Sequence, residues 1–174
     1  MIHSDLSQCR VNSERLLLTP FSAADADEVY QAITPTLTRF MSFEPEPSAE
    51  AFAEVWQGWL PLMREGEEIF FVARRREDKR FVGMGGVHNL RSPTPELGLW
   101  IKEDQHHQGY GRELLQAIAR WAGERYRPHY FIYPVAEQNL PSRRLAESLG
   151  GQLNGRRENI KYDCLVYHIP PSSE

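Results

Sequence analysis

Glu96-Leu97-Gly98-Leu99-Trp100-Ile101, then Lys102 to His107, then Gln108-Gly109-Tyr110-Gly111-Arg112-Glu113-Leu114-Leu115, reads as a strand, a polar loop, a glycine turn and a helix. Glycines at a helix mouth expose backbone N–H groups at the positive end of the helix dipole, and such groups bind anions. A strand feeding that helix sets up a ligand site on its carboxyl side.

The elements on either side extend this unit. After Gly111 the spacing of Leu114, Leu115, Ile118, Ala119 and Ala122 predicts one apolar helical face, and Pro128 stops the helix near Tyr126. Tyr130 to Val135 reads as a strand. Strand 96–101, helix 109–125 and strand 130–135 therefore form a βαβ unit with parallel strands. A further helix begins at Asn139 or Ser142, carries Leu145, Ala146 and Leu149 inward, and ends at Gly150-Gly151. One or two strands follow, with 162–169 nearly alternating.

Upstream, residues 1–14 read as a polar lead-in, and Arg15 to Pro20 as a first strand at an edge. Ser22 caps a helix, with Asp25 as the acid of a capping box. Pro35 forbids a continuous helix through the Val29, Ile33, Leu37 series. Ser48 caps a second helix with Phe52, Val55, Trp56, Trp59 and Leu60 on one face, which Pro61 is expected to kink or end. Strands 69–73 and 80–88 flank a charged turn and pair antiparallel. Gly83, Gly85 and Gly86 mark a bulge or a close backbone approach, without the strand–turn–helix setting of a dinucleotide fingerprint.

The chain has 174 residues, 41% hydrophobic and 25% charged, with a formal net charge of −4. That length suits one domain, 1–174, with its core at about 12–169. The negative balance argues against nucleic-acid binding. Cys9 and Cys164 have no metal-site spacing and are expected as free thiols, so no metal is expected. The start lacks the basic and apolar regions of a signal peptide, and no apolar run approaches the ~20 residues of a membrane span. A cytoplasmic protein without membrane contact is the expectation, as a monomer or homodimer.

Three motifs in order resemble the GCN5-related N-acetyltransferase (GNAT) superfamily, and within it the branch of ribosomal-protein-alanine N-acetyltransferases of the RimJ/RimL type. They are Glu14-Arg15-Leu16-Leu17-Leu18-Thr19-Pro20, His106-His107-Gln108-Gly109-Tyr110-Gly111, and Asn139-Leu140-Pro141-Ser142 through Gly150. The resemblance covers about residues 12–169. It implies an α/β fold: a mixed, largely antiparallel central sheet flanked by helices and splayed at an acetyl-CoA site. It further implies that the pantetheine arm pairs with the backbone of Leu99, Trp100 and Ile101. The pyrophosphate would sit on the N–H groups of Gln108, Gly109, Gly111 and Arg112, joined by His107 and Tyr110, while Asn139 binds the pantetheine arm. The chain departs from the family at His106, where Arg or Gln is frequent, and at Gly151, where Phe usually follows the glycine.

An acetyl thioester attacked by a primary amine needs a base for the amine and a proton for the leaving sulfur. Glu96, at the start of the donor strand, is the candidate base, directly or through water; its alternative is a solvated strand start. Ser142 is the candidate acid or thiol ligand, with helix capping as the alternative. Backbone N–H groups near Leu99 or Trp100 are the oxyanion candidates. Tyr162 and Tyr167 are weaker stand-ins for the tyrosine acid common in the family, and His88 is read as a packing or surface residue, with a place facing the acceptor as its alternative. The acceptor is a small-molecule amine or a protein N-terminus, selected by residues 30–63 and 86–95. A non-catalytic acyl-CoA sensor is the competing reading.

Overall fold

The computed structural model describes residues 5–171. Its strands are β1 (Val11–Asn12), β2 (Leu16–Pro20), β3 (Ile69–Arg75), β4 (Phe81–His88), β5 (Glu96–Ile101), β6 (Phe131–Ala136), β7 (Gln152–Arg157) and β8 (Cys164–Ile169). The helices are α1 (Ala26–Ala32), α2 (Ala49–Arg64), α3 (Tyr110–Tyr126) and α4 (Leu140–Ser148). The strands form one sheet in the order β1-β2-β3-β4-β5-β6-β8-β7. Every pairing is antiparallel except β5 with β6. The expected mixed, largely antiparallel sheet with flanking helices is what the chain forms.

Successive strand side chains point to opposite faces, so two neighbouring phenylalanines on β3 mark the two layers. Phe70 stacks on Trp59 of α2 at 4.6 Å, whereas Phe71 meets Trp121 of α3 edge-on at 5.3 Å. Helices α2 and α3 therefore cover opposite faces. Leu114, Leu115, Ile118 and Ala122 of α3 are fully buried, as their helical spacing requires.

Local signals worked well at helix starts. The Ser22–Asp25 capping box is present, and Ser48 Oγ accepts the Ala51 N–H at 3.0 Å. Four expectations are corrected or narrowed. Pro61 does not end α2, which continues to Arg64. Its last turn is held by Met63, which is buried and accepts the Leu6 N–H at 3.0 Å. Leu6 itself is fully buried, so the segment before β1 is docked rather than a loose lead-in, for the residues described. Nor is β2 an edge strand: β1 pairs outside it, and Pro20 sits harmlessly at its end. Strand β3 also runs on through Arg74 and Arg75, because Arg74 finds carboxylate partners in Asp25 at 3.0 Å and Glu28 at 2.7 Å.

The glycines of β4 reflect close approach. A Cβ on Gly83 would lie 2.2 Å from the Trp100 carbonyl oxygen, and one on Gly86 would lie 2.9 Å from the Ile69 carbonyl oxygen. Gly98 of β5 has open space instead. Gly83→Ala is therefore expected to lower stability by roughly 1–3 kcal/mol, the cost range of overpacking, while Gly98→Ala leaves stability nearly unchanged. Denaturant midpoints of the two variants check this; equal midpoints would contradict it.

Candidate active site

Strand β5 is bonded fully on one side and barely on the other. It pairs with β4 at six consecutive positions, from Gly83 with Ile101 to His88 with Glu96. With β6 it makes a single register pair, Glu96 with Ile132, beside the Ile132 N–H bond to the Pro95 carbonyl at 2.9 Å. Strand β6 is instead paired with β8 at six positions. The two halves of the sheet part immediately after Glu96.

The phase of the β4–β5 ladder decides which backbone groups face the gap. Lys102 N–H donates to the Val82 carbonyl at 2.7 Å, so by alternation the groups of Trp100 also face β4. Leu97, Leu99 and Ile101 face the gap. This removes Trp100 from the expected backbone partners; its ring is buried edge-on against Phe81. The Ile101 carbonyl is taken by His106 Nε2 at 2.6 Å. Leu99 N–H and C=O and the Ile101 N–H remain for a ligand.

The mouth of α3 lies just beyond. Gly109 is left-handed with φ 80°, a conformation that favours glycine, and His107 is left-handed with φ 64°. The helical ladder begins with Glu113 N–H bonded to the Gly109 carbonyl at 3.2 Å, so the N–H groups of Gly109, Tyr110, Gly111 and Arg112 precede it. Arg112, Gln108 and His107 are exposed around them. Gly111 has a second purpose. It lies inside α3, and a Cβ there would meet Leu145 of α4 at 3.2 Å. The Tyr110 side chain is buried, with the Arg15 guanidinium 4.4 Å above its ring, and so reaches the loop only through its backbone.

Arg15 braces this mouth. Its Nη1 donates to the Gln108 carbonyl at 2.9 Å and its Nε to Glu113 Oε1 at 2.7 Å. Glu113 Oε2 accepts the Arg15 backbone N–H at 2.6 Å and the Ser13 hydroxyl at 2.5 Å. Burial pushes the Glu113 carboxyl up, but the bonds from Ser13 and Arg15 outweigh it and hold the group below its ordinary range.

A cavity of about 480 Å³ occupies the gap. It is lined by Glu96 to Trp100 on one side and by Tyr133, Asn139 and Ser142 on the other. Arg157 of β7 holds Glu96 Oε1 at 3.0 Å, leaving Oε2 for a ligand. Ser142 Oγ and Tyr133 Oη lie 2.6 Å apart. Burial pushes the Tyr133 phenol up to about 12, so it stays protonated at neutral pH. Two hydroxyls share one mutual bond, which leaves one O–H to donate. Asn139 caps α4 by accepting the Ser142 N–H at 3.4 Å and also lines the cavity.

Other candidates are placed elsewhere or otherwise engaged. Tyr167 is buried, accepts from Arg143 Nε at 3.0 Å and donates to Glu147 at 2.8 Å, which rules it out as the acid. Tyr162 does line the cavity, as does His88, whose Nδ1 is 2.8 Å from Glu68 Oε1. Cys9 and Cys164 are free thiols pushed up by burial, Cys9 to about 11, and neither is an activated nucleophile.

Residues 15–152 match the family model described as "Acetyltransferase (GNAT) domain". The chain belongs to the GNAT acetyltransferase family. The acetyltransferase is 23% identical over 168 residues to the uncharacterized N-acetyltransferase YoaA of Bacillus subtilis (strain 168), covering 91% of this chain and 95% of that one. It shares its fold with Mycobacterium smegmatis RimJ, solved with CoA-disulfide, at TM-score 0.84 and 17% identity over 97% of this chain and 90% of that one. Spermidine N-acetyltransferase from Vibrio cholerae, solved with CoA and spermine, matches at TM-score 0.80 and 17% identity over 91% of this chain and 97% of that one. Among the described residues no cluster of His, Cys, Asp and Glu is arranged to hold a metal, and no helix is long and apolar enough to cross a membrane.

Sequence reasoning did not single out Arg15, Tyr133 or Arg157 as site residues. Tyr133 alternates with the buried Phe131, a signal for which face it occupies, but nothing local points to its bond with Ser142. Arg157 reaches Glu96 only through the pairing of β7 with β8.

The Arg15–Glu113 brace has a defined pH signature. A carboxyl held below its unfolded pKa contributes stability above that unfolded value and loses it as pH falls through the folded one. Glu113→Gln is expected to lower stability at pH 7 by roughly 1–3 kcal/mol, with the difference from wild type shrinking in acid. Thermal melts from pH 7 to pH 3 measure this, and a constant difference across that range would contradict it.

Proposed function

We propose that this acetyltransferase moves an acetyl group from acetyl-CoA to a primary amine by direct attack. The observation that carries the reading is the parting of β5 and β6 beside an open helix mouth, with Glu96 and Ser142 in the same cavity. The chain's own groups suit the donor. Leu99 offers an N–H and a C=O to an amide-bearing arm, in the manner of an added strand. Gly98 carries no side chain to obstruct it. Gln108, Gly109, Gly111 and Arg112 offer N–H groups to a pyrophosphate, with the Arg112 and His107 side chains at its edge. Asn139 and the N–H of Ile101 complete the set.

The bound donor supplies an acyl carbon on a sulfur leaving group. Glu96 takes the proton of the attacking ammonium, directly or through one water, so that the nitrogen lone pair can form the C–N bond as the C–S bond breaks. Arg157 fixes one Glu96 oxygen and so orients the other. The Ser142–Tyr133 pair donates its remaining O–H to the departing sulfur, and the second proton lost by the nitrogen restores it, with Tyr133 positioning Ser142. Cys164, inert by burial, takes no part.

CoA release with a reactive amine tests these roles. Glu96→Gln is expected to lower kcat/KM by roughly 10²–10⁴ while calorimetric acetyl-CoA affinity stays the same. Ser142→Ala and Tyr133→Phe are expected to lower kcat by at least roughly tenfold. An unchanged rate and pH profile in Glu96→Gln would sink the base assignment; unchanged kcat in both hydroxyl variants would sink the acid assignment.

A further inference from the structure

The cavity extends well past the parted strands, and the chemistry of that extension restricts the acceptor. Its walls are Met41, Phe43, Phe52, Val55, Trp59 and Phe70. Three of them form an aromatic series in which Phe52 meets Trp59 at 5.9 Å and Trp59 stacks on Phe70 at 4.6 Å, a preformed apolar surface. Three carboxylates line the same space: Glu44, Glu46 and Glu96. Two of them are matched from within. Arg157 holds Glu96 at 3.0 Å, and Lys161 holds Glu44 at 2.8 Å. Glu46 alone of the three makes no ion pair among the described residues; its backbone carbonyl, not its carboxylate, accepts from Tyr30 Oη at 2.7 Å.

Lys161 joins two loops whose other residues line the cavity. Its ammonium donates to the Thr38 carbonyl at 2.8 Å and to the Phe43 carbonyl at 3.0 Å, in addition to its Glu44 pair. It thereby ties the loop that precedes α2 to the loop between β7 and β8. Both loops line the cavity, through Phe43 and Glu44 on one and Asn159 and Tyr162 on the other.

We propose that the acceptor is a small primary monoamine on an apolar, preferably aromatic, body. This rests on the acetyl-transfer reading above and names the substrate class of that site. One uncompensated carboxylate matches one arriving ammonium. A polyamine would bring further charges along the apolar stretch formed by Phe52, Trp59 and Phe70, where an unpaired charge is disfavoured, and the other two carboxylates of the cavity already hold Arg157 and Lys161. A polypeptide N-terminus would need polar partners for the backbone that follows it, whereas Phe52, Trp59 and Phe70 present hydrocarbon rings there. The apolar body lies along Trp59 and Phe70, while Glu46 draws the ammonium in and Glu96 takes one of its protons before the C–N bond forms.

The test measures CoA release from acetyl-CoA with 2-phenylethylamine, tryptamine, spermidine, and a hexapeptide with an apolar first residue. Calorimetry of acetyl-CoA binding runs alongside. The two arylalkylamines are expected to exceed spermidine and the peptide in kcat/KM by at least about tenfold. Glu46→Gln is expected to raise the KM for 2-phenylethylamine about tenfold with the KM for acetyl-CoA unchanged. Val55→Asp, at a side chain that is 40% exposed and so tolerant of polarity, is expected to narrow the preference for arylalkylamines. Spermidine or the peptide matching the arylalkylamines would overturn the proposal. So would acetyl-CoA binding without turnover of either arylalkylamine, which leaves the donor site standing. Failure of acetyl-CoA to bind would overturn the acetyl-transfer reading first, and the acceptor with it.

Discussion

Strands β5 and β6 share one register pair and then separate, and this constraint organises the rest of the molecule. Each strand is fully paired on its other side, β5 with β4 and β6 with β8, so each is held in its own half of the sheet. Buried backbone groups left without partners are costly. The gap-facing N–H and C=O of Leu99 and the N–H of Ile101 have no strand partner. The close approach of β4 to β5 that requires Gly83 keeps β5 on its own half of the sheet.

The two halves are bridged by polar contacts near the gap as well as by the helices. Arg157 crosses to Glu96, and Lys161 crosses to Thr38, Phe43 and Glu44. Such half-exposed ion pairs contribute little stability, commonly about 0–1 kcal/mol. Their value lies in position: they set where a carboxylate points and which loops meet. Arg15 acts similarly at the helix mouth, where Glu113, the Gln108 carbonyl and the Tyr110 ring converge on one guanidinium. The planar fork of arginine suits this shared role better than a lysine ammonium would.

The acceptor side is built differently. Trp59, which the sequence leaves as either a core-facing residue or part of a substrate surface, is both core and wall: it packs against Phe21, Phe52 and Phe70 and lines the cavity. His88 is likewise both packed, against Phe70, and cavity-lining. A one-dimensional pattern assigns each such residue a single face. The three-dimensional arrangement lets one ring face core and cavity together.

By itself, the sequence determined the local pieces. Ser22 and Ser48 start helices because their side chains satisfy N–H groups close in the chain, and Gly109 opens α3 because a left-handed residue is needed there. Periodicity placed the buried faces of α3 and the order of the βαβ unit, and the joined motifs pointed to the family. These are effects of neighbours within a few residues, and a sequence displays them directly. Only the tertiary structure decided what depends on ladder phase and on partners far apart in the chain. Lys102 bonding to Val82 turns Trp100 away from the gap and Leu99 toward it. Met63 binding Leu6 carries α2 past Pro61. Arg157 reaching Glu96, and Tyr133 reaching Ser142, set the site's polar contacts through strand pairing and burial, which no local spacing encodes.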